Sequence, residues 1–344
     1  MFLTDDIRKY LKNNKRKIAL GEATDNRVIE AAKILIAEGL VELVLVGPEA
    51  VLREKLQAHG REESVEIIDP ATFPEKNDFI NQYYDLRKHK GISVTTACEY
   101  VTDPVFFTTM LVKNNIVDGA VSGNVSSSAK VIKAAIQIIG RTESVQFLSS
   151  CFIMMLADSP YGSDGTFIFA DCGLIPFPDA PQLAEIALLS AKTMKGLIGH
   201  EPKIAFLSFS THGSAKHESI TNIREAVKIT REKMPHIICD GELQLDAAIV
   251  PAVGKIKAPE SPVAGNANIL IFPDLNSGNI GYKITERLAH GKAYGPIIQG
   301  LKRPCNDLSR GCSSDDIVTV VAITALQAIN NIYTDSSPQL AQYN

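Results

Sequence analysis

Along the first third of the chain, short β-rich apolar runs alternate with longer stretches of helical period. Positions 17–20, 41–46, 65–68 and 117–121 read as strands, and 26–39, 49–59, 74–89 and 103–115 as helices. Within 26–39, for example, Val28, Ala31, Ala32, Ile34, Leu35 and Ile36 form one broad apolar face. Strands this short and this uniformly apolar, each followed by a helix, belong to βαβ units whose parallel sheet is covered on both faces.

The pattern then changes. Two strand-like runs, 145–156 and 166–172, flank the turn-rich octet Asp158-Ser159-Pro160-Tyr161-Gly162-Ser163-Asp164-Gly165, which predicts a local antiparallel hairpin. Alternation resumes after it, with helices over 180–198, 216–233, 242–249, 279–290 and 313–331 and strands over 203–209, 236–240, 268–273 and 295–299. This places a domain boundary near residue 142. The length of 344 residues agrees, because a single core stops growing at roughly 250–300 residues. No internal repeat is visible, and the last ten residues read as frayed.

Composition narrows the function classes. Thirty-five Lys and Arg face 39 Asp and Glu, a net charge of −4 without a dense basic stripe, so a nucleic-acid partner is not expected. The six cysteines are scattered, none in a CxxC pair or at zinc-ligand spacing, which reads as free thiols in a reducing compartment. The charged first 17 residues lack the apolar core of a signal peptide, and the longest apolar stretch, 151–157, is too short to cross a bilayer. The expectation is a cytoplasmic protein acting on small molecules, with no membrane and no metal site.

The densest polar cluster, Asn306-Asp307-Leu308-Ser309-Arg310-Gly311-Cys312-Ser313-Ser314-Asp315-Asp316, follows the last expected strand and opens the final apolar helix. Open α/β sheets hold ligands at such a position, where free N–H groups and the helix dipole favour an anion. Arg310 adds a permanently charged fork suited to phosphate or an oxyanion, Ser309 a hydroxyl donor, and Asp316 an acceptor for a proton. The same residues read equally well as a capping box, with Ser313 as N-cap and Asp316 at the third helical position. Cys312, beside Arg310 and a helix start, is a candidate for a lowered pKa, although a passive small residue is the plainer reading.

Two further clusters stand out. Leu86-Arg87-Lys88-His89-Lys90-Gly91 closes a helix and reads either as a solvated basic end or as a grip on a phosphorylated ligand. Ser122-Gly123-Asn124-Val125-Ser126-Ser127-Ser128 links a strand to the helix carrying Lys133, and reads either as a small-anion cradle or as a tight turn with an N-cap. Asp240 and Asp246 are the pair able to bracket a cation, but Asp240 reads as a turn residue and Asp246 as helical.

These segments, together with Phe169-Ala170-Asp171-Cys172, Asp240-Gly241-Glu242-Leu243-Gln244, Ser261-Pro262-Val263-Ala264-Gly265 and Gly278-Asn279-Ile280-Gly281-Tyr282-Lys283, resemble the phosphate acetyltransferase and phosphate butyryltransferase family over most of the chain. The resemblance implies two α/β/α domains with mostly parallel sheets and an interdomain cleft, related to the isocitrate and isopropylmalate dehydrogenases. It implies a first domain of 1–142 plus 300–344, to which the C-terminal helix returns. A second domain of 143–299 would then make a homodimer. The implied reaction is reversible acetyl transfer between coenzyme A and phosphate, with CoA as substrate and no tightly bound cofactor. The length resembles the short class, which lacks an N-terminal regulatory extension.

By the same resemblance Ser309, Arg310 and Asp316 fall on catalytic positions, Arg87 on a CoA-contacting one, and Ser127, Ser128, Lys133 and Asn306 on substrate-binding ones. The chain departs from the family at Ser126-Ser127-Ser128 and Lys133, where histidine, serine, threonine and arginine are usual, so charge is kept at 133 but not the bidentate fork. The expected mechanism has Asp316 take the CoA thiol proton while Ser309 and Arg310 stabilise the oxyanion and the departing phosphate. The covalent alternative routes the acyl group through Cys312. Rival readings are a propionyl or butyryl transferase, a non-catalytic CoA-binding module, and a metal-dependent oxidative decarboxylase. The decarboxylase lacks a Gly-rich dinucleotide fingerprint after a strand.

Overall fold

The computed structural model describes residues 2–57 and 65–333; positions 58 and 59 of the expected helix 49–59, and the final stretch expected to fray, lie outside the described residues. The chain opens with α1 (Asp5–Asn13), whose N-cap Thr4 accepts from the Ile7 amide. It continues through β1 (Lys17–Leu20), α2 (Asn26–Glu38), β2 (Glu42–Val46), α3 (Glu49–Gln57), β3 (Glu66–Ile68) and α4 (Lys76–Arg87). A short 3-10 turn precedes α5 (Val94–Thr102), α6 (Pro104–Lys113), β4 (Gly119–Ser122) and α7 (Ser128–Ile138). The hairpin follows as β5 (Ser149–Met155) and β6 (Thr166–Ala170), then α8 (Ala180–Thr193), β7 (Lys203–Leu207), α9 (Glu218–Lys233) and β8 (Ile238–Leu243). Last come α10 (Leu245–Ile249), α11 (Pro251–Lys257), β9 (Ile269–Ile271), α12 (Leu275–Leu288), β10 (Lys292–Gln299), β11 (Cys305–Asp307) and α13 (Ser314–Asn330).

Two sheets result. The first, in the order β11-β4-β1-β2-β3, is parallel throughout. The second, β10-β5-β6-β9-β7-β8, is antiparallel across β10-β5-β6 and parallel beyond, so the expected hairpin is the point where strand direction reverses. Among the described residues no helix is long and apolar enough to cross a membrane.

The last two elements tie the sheets together. β11 pairs in parallel with β4, returning the chain to the first sheet after β10 has completed the second. Helix α13 is buried at every position from Ile317 to Gln327, the mark of a helix packed on all sides. It lies against α2, β1 and β4 on one side and β10 on the other, inside a core that also holds Ile153, Ile168 and Ile297.

Differences from the sequence reading have local causes. β8 runs to Leu243, where a helix is expected from 242, because Leu207 and Leu243 pair and the buried Glu242 finds its own partners. β11 goes unpredicted since Cys-Asn-Asp has little strand propensity; its backbone is extended because β4 offers a free edge beside it. α1, with only Leu11 buried, and the short α5 and α11 lack the broad apolar face that announces a helix.

Candidate active site

The polar cluster occupies the turn from β11 into α13. Ser313 caps the helix: its hydroxyl accepts from the Asp316 amide at 3.2 Å, while Asp316 Oδ2 accepts from the Ser313 amide at 2.9 Å and hydroxyl at 2.7 Å. The capping box is therefore real, and it consumes only one carboxylate oxygen. Asp316 also lines a cavity of about 150 Å³ shared with Ser309, roomy enough for several waters or a small anion. The opposite polar wall belongs to α12, in Lys283, Glu286 and Arg287. The apolar end is Phe152, stacked on Tyr282 with ring centroids 3.9 Å apart, with Val320 and Leu308 beside them. Arg310 sits between Ser309 and Asp316 in sequence but does not line the cavity; its side chain is exposed and makes no hydrogen bond or ion pair among the described residues.

Arg27, which the sequence reading passed over, fixes the shape of this loop. Its guanidinium donates to Arg310 O at 2.7 Å, Cys312 O at 3.1 Å, Asn124 O at 2.8 Å and both oxygens of Asp25 at 3.1 and 2.7 Å. It holds Asp25 below the usual carboxylate range. One planar fork thus joins the N-terminus of α2, the β4–α7 loop and the Ser309–Cys312 turn, which a lysine has too few donors to copy. Arg27→Ala is expected to lower kcat by ten-fold or more, since a misplacement of about 1 Å costs up to about 10² in rate, and Arg27→Lys to restore little of it. Steady-state kinetics check this; a kcat within two-fold of wild type in both variants contradicts it.

The β4–α7 turn is indeed an anion cradle, and the anion is internal. Glu22 presents its carboxylate to the amides of Gly123 at 2.9 Å, Val125 at 3.3 Å and Ser126 at 2.9 Å. Gly123, at φ +106°, is required there: a Cβ would lie 2.0 Å from Asp307 Oδ1. Asp307 itself is fully buried, and among the described residues neither oxygen has a well-formed hydrogen bond, the Ser128 hydroxyl and Leu308 amide approaching it only in strained geometry. Burial pushes its carboxyl up to about 7, with the Ser128 hydroxyl and the Leu308 amide offsetting part of the cost and Glu22 adding to it. No sequence signal beyond its place in the polar cluster marks Asp307 as unusual.

Of the residues assigned to CoA, Lys133 lines a second opening, and Arg87, Ser127 and Ser128 lie outside its lining. Lys133 lines a groove of about 460 Å³ with Ala129, Ile132, Ile136 and Gln137 of α7 and Gly173 and Leu174 from beyond β6. Its ammonium donates to Tyr100 Oη at 2.7 Å and lies 4.6 Å from that ring's centroid. Tyr100 packs on Tyr83, beside which Arg87 lies close enough to oppose the rise of the Tyr83 phenol to about 12 that burial causes. Arg87 and Lys133 are thus flanked by one aromatic pair. Ser127 and Ser128 are exposed at the start of α7, and Ser127 makes no capping bond. Asp171 shapes the far wall by accepting from the amides of Gly173 at 2.9 Å and Leu174 at 3.0 Å.

Asn306 differs from its assignment. Its Oδ1 accepts from the Ile298 amide at 3.0 Å, and its Nδ2 donates to Thr324 Oγ1 at 2.9 Å and Gln327 Oε1 at 2.6 Å. Buried between β10, β11 and α13 and outside both openings, it is a strut. Cys312 matches the plainer reading of a passive residue and not the alternative of a lowered pKa: burial pushes the thiol up to about 11 against the opposing charge of Arg27. Cys305 is likewise buried and raised, to about 12. Asp240 is paired with Arg231 at 2.8 Å and His212 at 3.2 Å, and Asp246 with Lys257 at 2.7 Å, so each faces cations of its own.

The sequence model described as phosphate acetyl/butaryl transferase matches residues 2–325. The chain belongs to that family. It is 47% identical over 333 residues to the phosphate acetyltransferase of Clostridium acetobutylicum, covering 96% of this chain and 100% of that one. Among solved structures, a phosphotransacetylase from Streptococcus pyogenes superposes with a TM-score of 0.87 at 41% identity, covering 94% of this chain and 97% of the other. A branched-chain phosphotransacylase from Enterococcus faecalis, at 18% identity and a TM-score of 0.68 over 91% of this chain and 99% of the other, shares the fold.

Proposed function

We propose that the protein is a phosphate acetyltransferase, interconverting acetyl-CoA plus phosphate and acetyl phosphate plus CoA. The observation that carries this reading is the convergence of Ser309 and Asp316 on one small cavity that Lys283, Glu286 and Arg287 of α12 and the apolar Phe152 and Val320 also line. In the direction of acetyl-CoA synthesis, Asp316 takes the thiol proton through the oxygen its capping box leaves free. The thiolate attacks the carbonyl carbon, the C–O bond to phosphate breaks, and phosphate departs with its electron pair. Ser309 and Arg310 stabilise the charge that develops on the carbonyl and leaving oxygens, Arg310 by turning its unpaired guanidinium inward. The buried, raised thiols of Cys312 and Cys305 favour this direct route over an acyl-enzyme.

CoA would lie along the α7 groove with Arg87 and Lys133 on its phosphates and Ser127 and Ser128 at its near end. Gly295 borders the cavity while Pro296 abuts Gly173 of the groove, so the two openings are neighbours across one strand. On this reading residues 1–142 with 300–344 form one domain and 143–299 the other. The exposed stripe Ile280, Ile284 and Leu288 on α12 suits a homodimer contact, and the free cysteines suit the cytoplasm.

The test is phosphate-dependent release of CoA from acetyl-, propionyl- and butyryl-CoA, compared side by side. The expected result is release that requires phosphate and is fastest with acetyl-CoA. No release with any of the three discards the enzyme reading in favour of a binding module, and faster release from butyryl-CoA moves the assignment to the longer acyl group.

A further inference from the structure

Of the charged groups around the cavity, Lys283 stands apart. Glu286 is paired with Arg287 at 3.5 Å, and Asp316 is held by its capping box. Lys283 lines the same cavity with no carboxylate partner among the described residues; its ammonium rests 5.8 Å from the centroid of the Tyr282 ring. A ring at that distance steadies a cation without neutralising it. Tyr282 is itself fixed by stacking on Phe152 at 3.9 Å. The cavity therefore has an apolar wall at Phe152 and Val320, a hydroxyl and a carboxylate at Ser309 and Asp316, and one positive charge from α12 that no carboxylate pairs among the described residues.

We propose that Lys283 is the phosphoryl-binding cation of the site, taking the phosphate oxygens so that the acyl group points to the Phe152 wall. The inference deepens, and rests on, the acyl-transfer reading above. A dianion placed here meets Lys283 from α12 and Ser309 from the β11–α13 turn, so its two holds come from two separate elements. CoA, by contrast, is assigned to the α7 groove, which Lys283 does not line. Lys283 should thus affect phosphate and leave CoA nearly untouched.

The experiment compares wild type, Lys283→Met, Lys283→Arg and Arg287→Met. Two readouts are used: KM for phosphate and for acetyl-CoA in the CoA-release direction, and binding of inorganic phosphate alone by phosphorus NMR line broadening. Removing a charge-assisted contact of this kind is expected to raise the KM and Kd for phosphate about ten-fold or more in Lys283→Met. KM for acetyl-CoA should stay within about three-fold, with partial recovery in Lys283→Arg and a smaller change in Arg287→Met. Unchanged phosphate binding in Lys283→Met, or a larger loss in Arg287→Met, overturns the proposal. If wild type binds phosphate but releases no CoA, the transferase reading fails while the phosphate-binding role is still decided by the NMR comparison.

Discussion

Asp316→Asn is expected to lose a factor of about 10²–10⁴ in kcat, the usual worth of a positioned general base, while unfolding at close to the wild-type temperature. The asparagine side chain keeps an oxygen that accepts from the Ser313 amide, so the cap on α13 survives and only the proton acceptor is removed. Asp316→Ala should lose as much activity and in addition about 1 kcal/mol of stability, because both bonds to Oδ2 go. Ser313→Ala supplies the converse, losing stability with kcat within a few-fold of wild type. The two roles of one carboxylate are thereby separated. If Asp316→Asn turns over at a near-native rate, the residue is a helix cap and nothing more.

Asp307→Asn is the second large effect, and it concerns stability against pH. A carboxylate ordinarily titrates near 4, whereas burial raises Asp307 to about 7. Between those values the folded chain binds a proton that the unfolded chain has released, so stability falls as pH rises and the loss is complete above about pH 7. That displacement corresponds to an upper bound of roughly 4 kcal/mol, the cost of a buried anion that Ser128 and Leu308 relieve only in part. Asparagine carries no charge at any pH. The variant should match wild type near pH 4 and be more stable than it by a few kcal/mol near pH 8, measured by urea unfolding at the two pH values. A difference that does not change with pH means Asp307 is not neutral in the folded protein at low pH.

The residues that were legible in the sequence are those whose chemistry and local pattern coincide. Alternating apolar runs disclosed β1, β2 and the hairpin of β5 and β6, since these strands are buried on both faces and their turns carry Gly, Pro and Ser. Ser309 and Asp316 are candidates in the sequence because a polar cluster before an apolar helix suits a ligand-binding turn in open α/β sheets, and the structure sets both on one cavity. What stayed hidden depends on contacts distant in the chain. Arg27 reads as an ordinary charge in a first helical turn, and only the fold brings it to carbonyls 97, 283 and 285 positions away. Glu22 fills an anion cradle some hundred residues on. Lys283 lies in the segment Gly278-Asn279-Ile280-Gly281-Tyr282-Lys283, where nothing local says that α12 and α13 line one cavity.

On the proposed mechanism, the acyl group passes directly between bound CoA and bound phosphate in the Ser309–Asp316 cavity. Initial rates of CoA release over a grid of acetyl-CoA and phosphate concentrations, combined with radiolabelled acetyl-CoA and quenching by denaturation, test it most directly. Direct transfer gives intersecting double-reciprocal lines and no acetyl label on the denatured protein. Parallel lines with label retained on the chain, and lost in a Cys312→Ala variant, would contradict it.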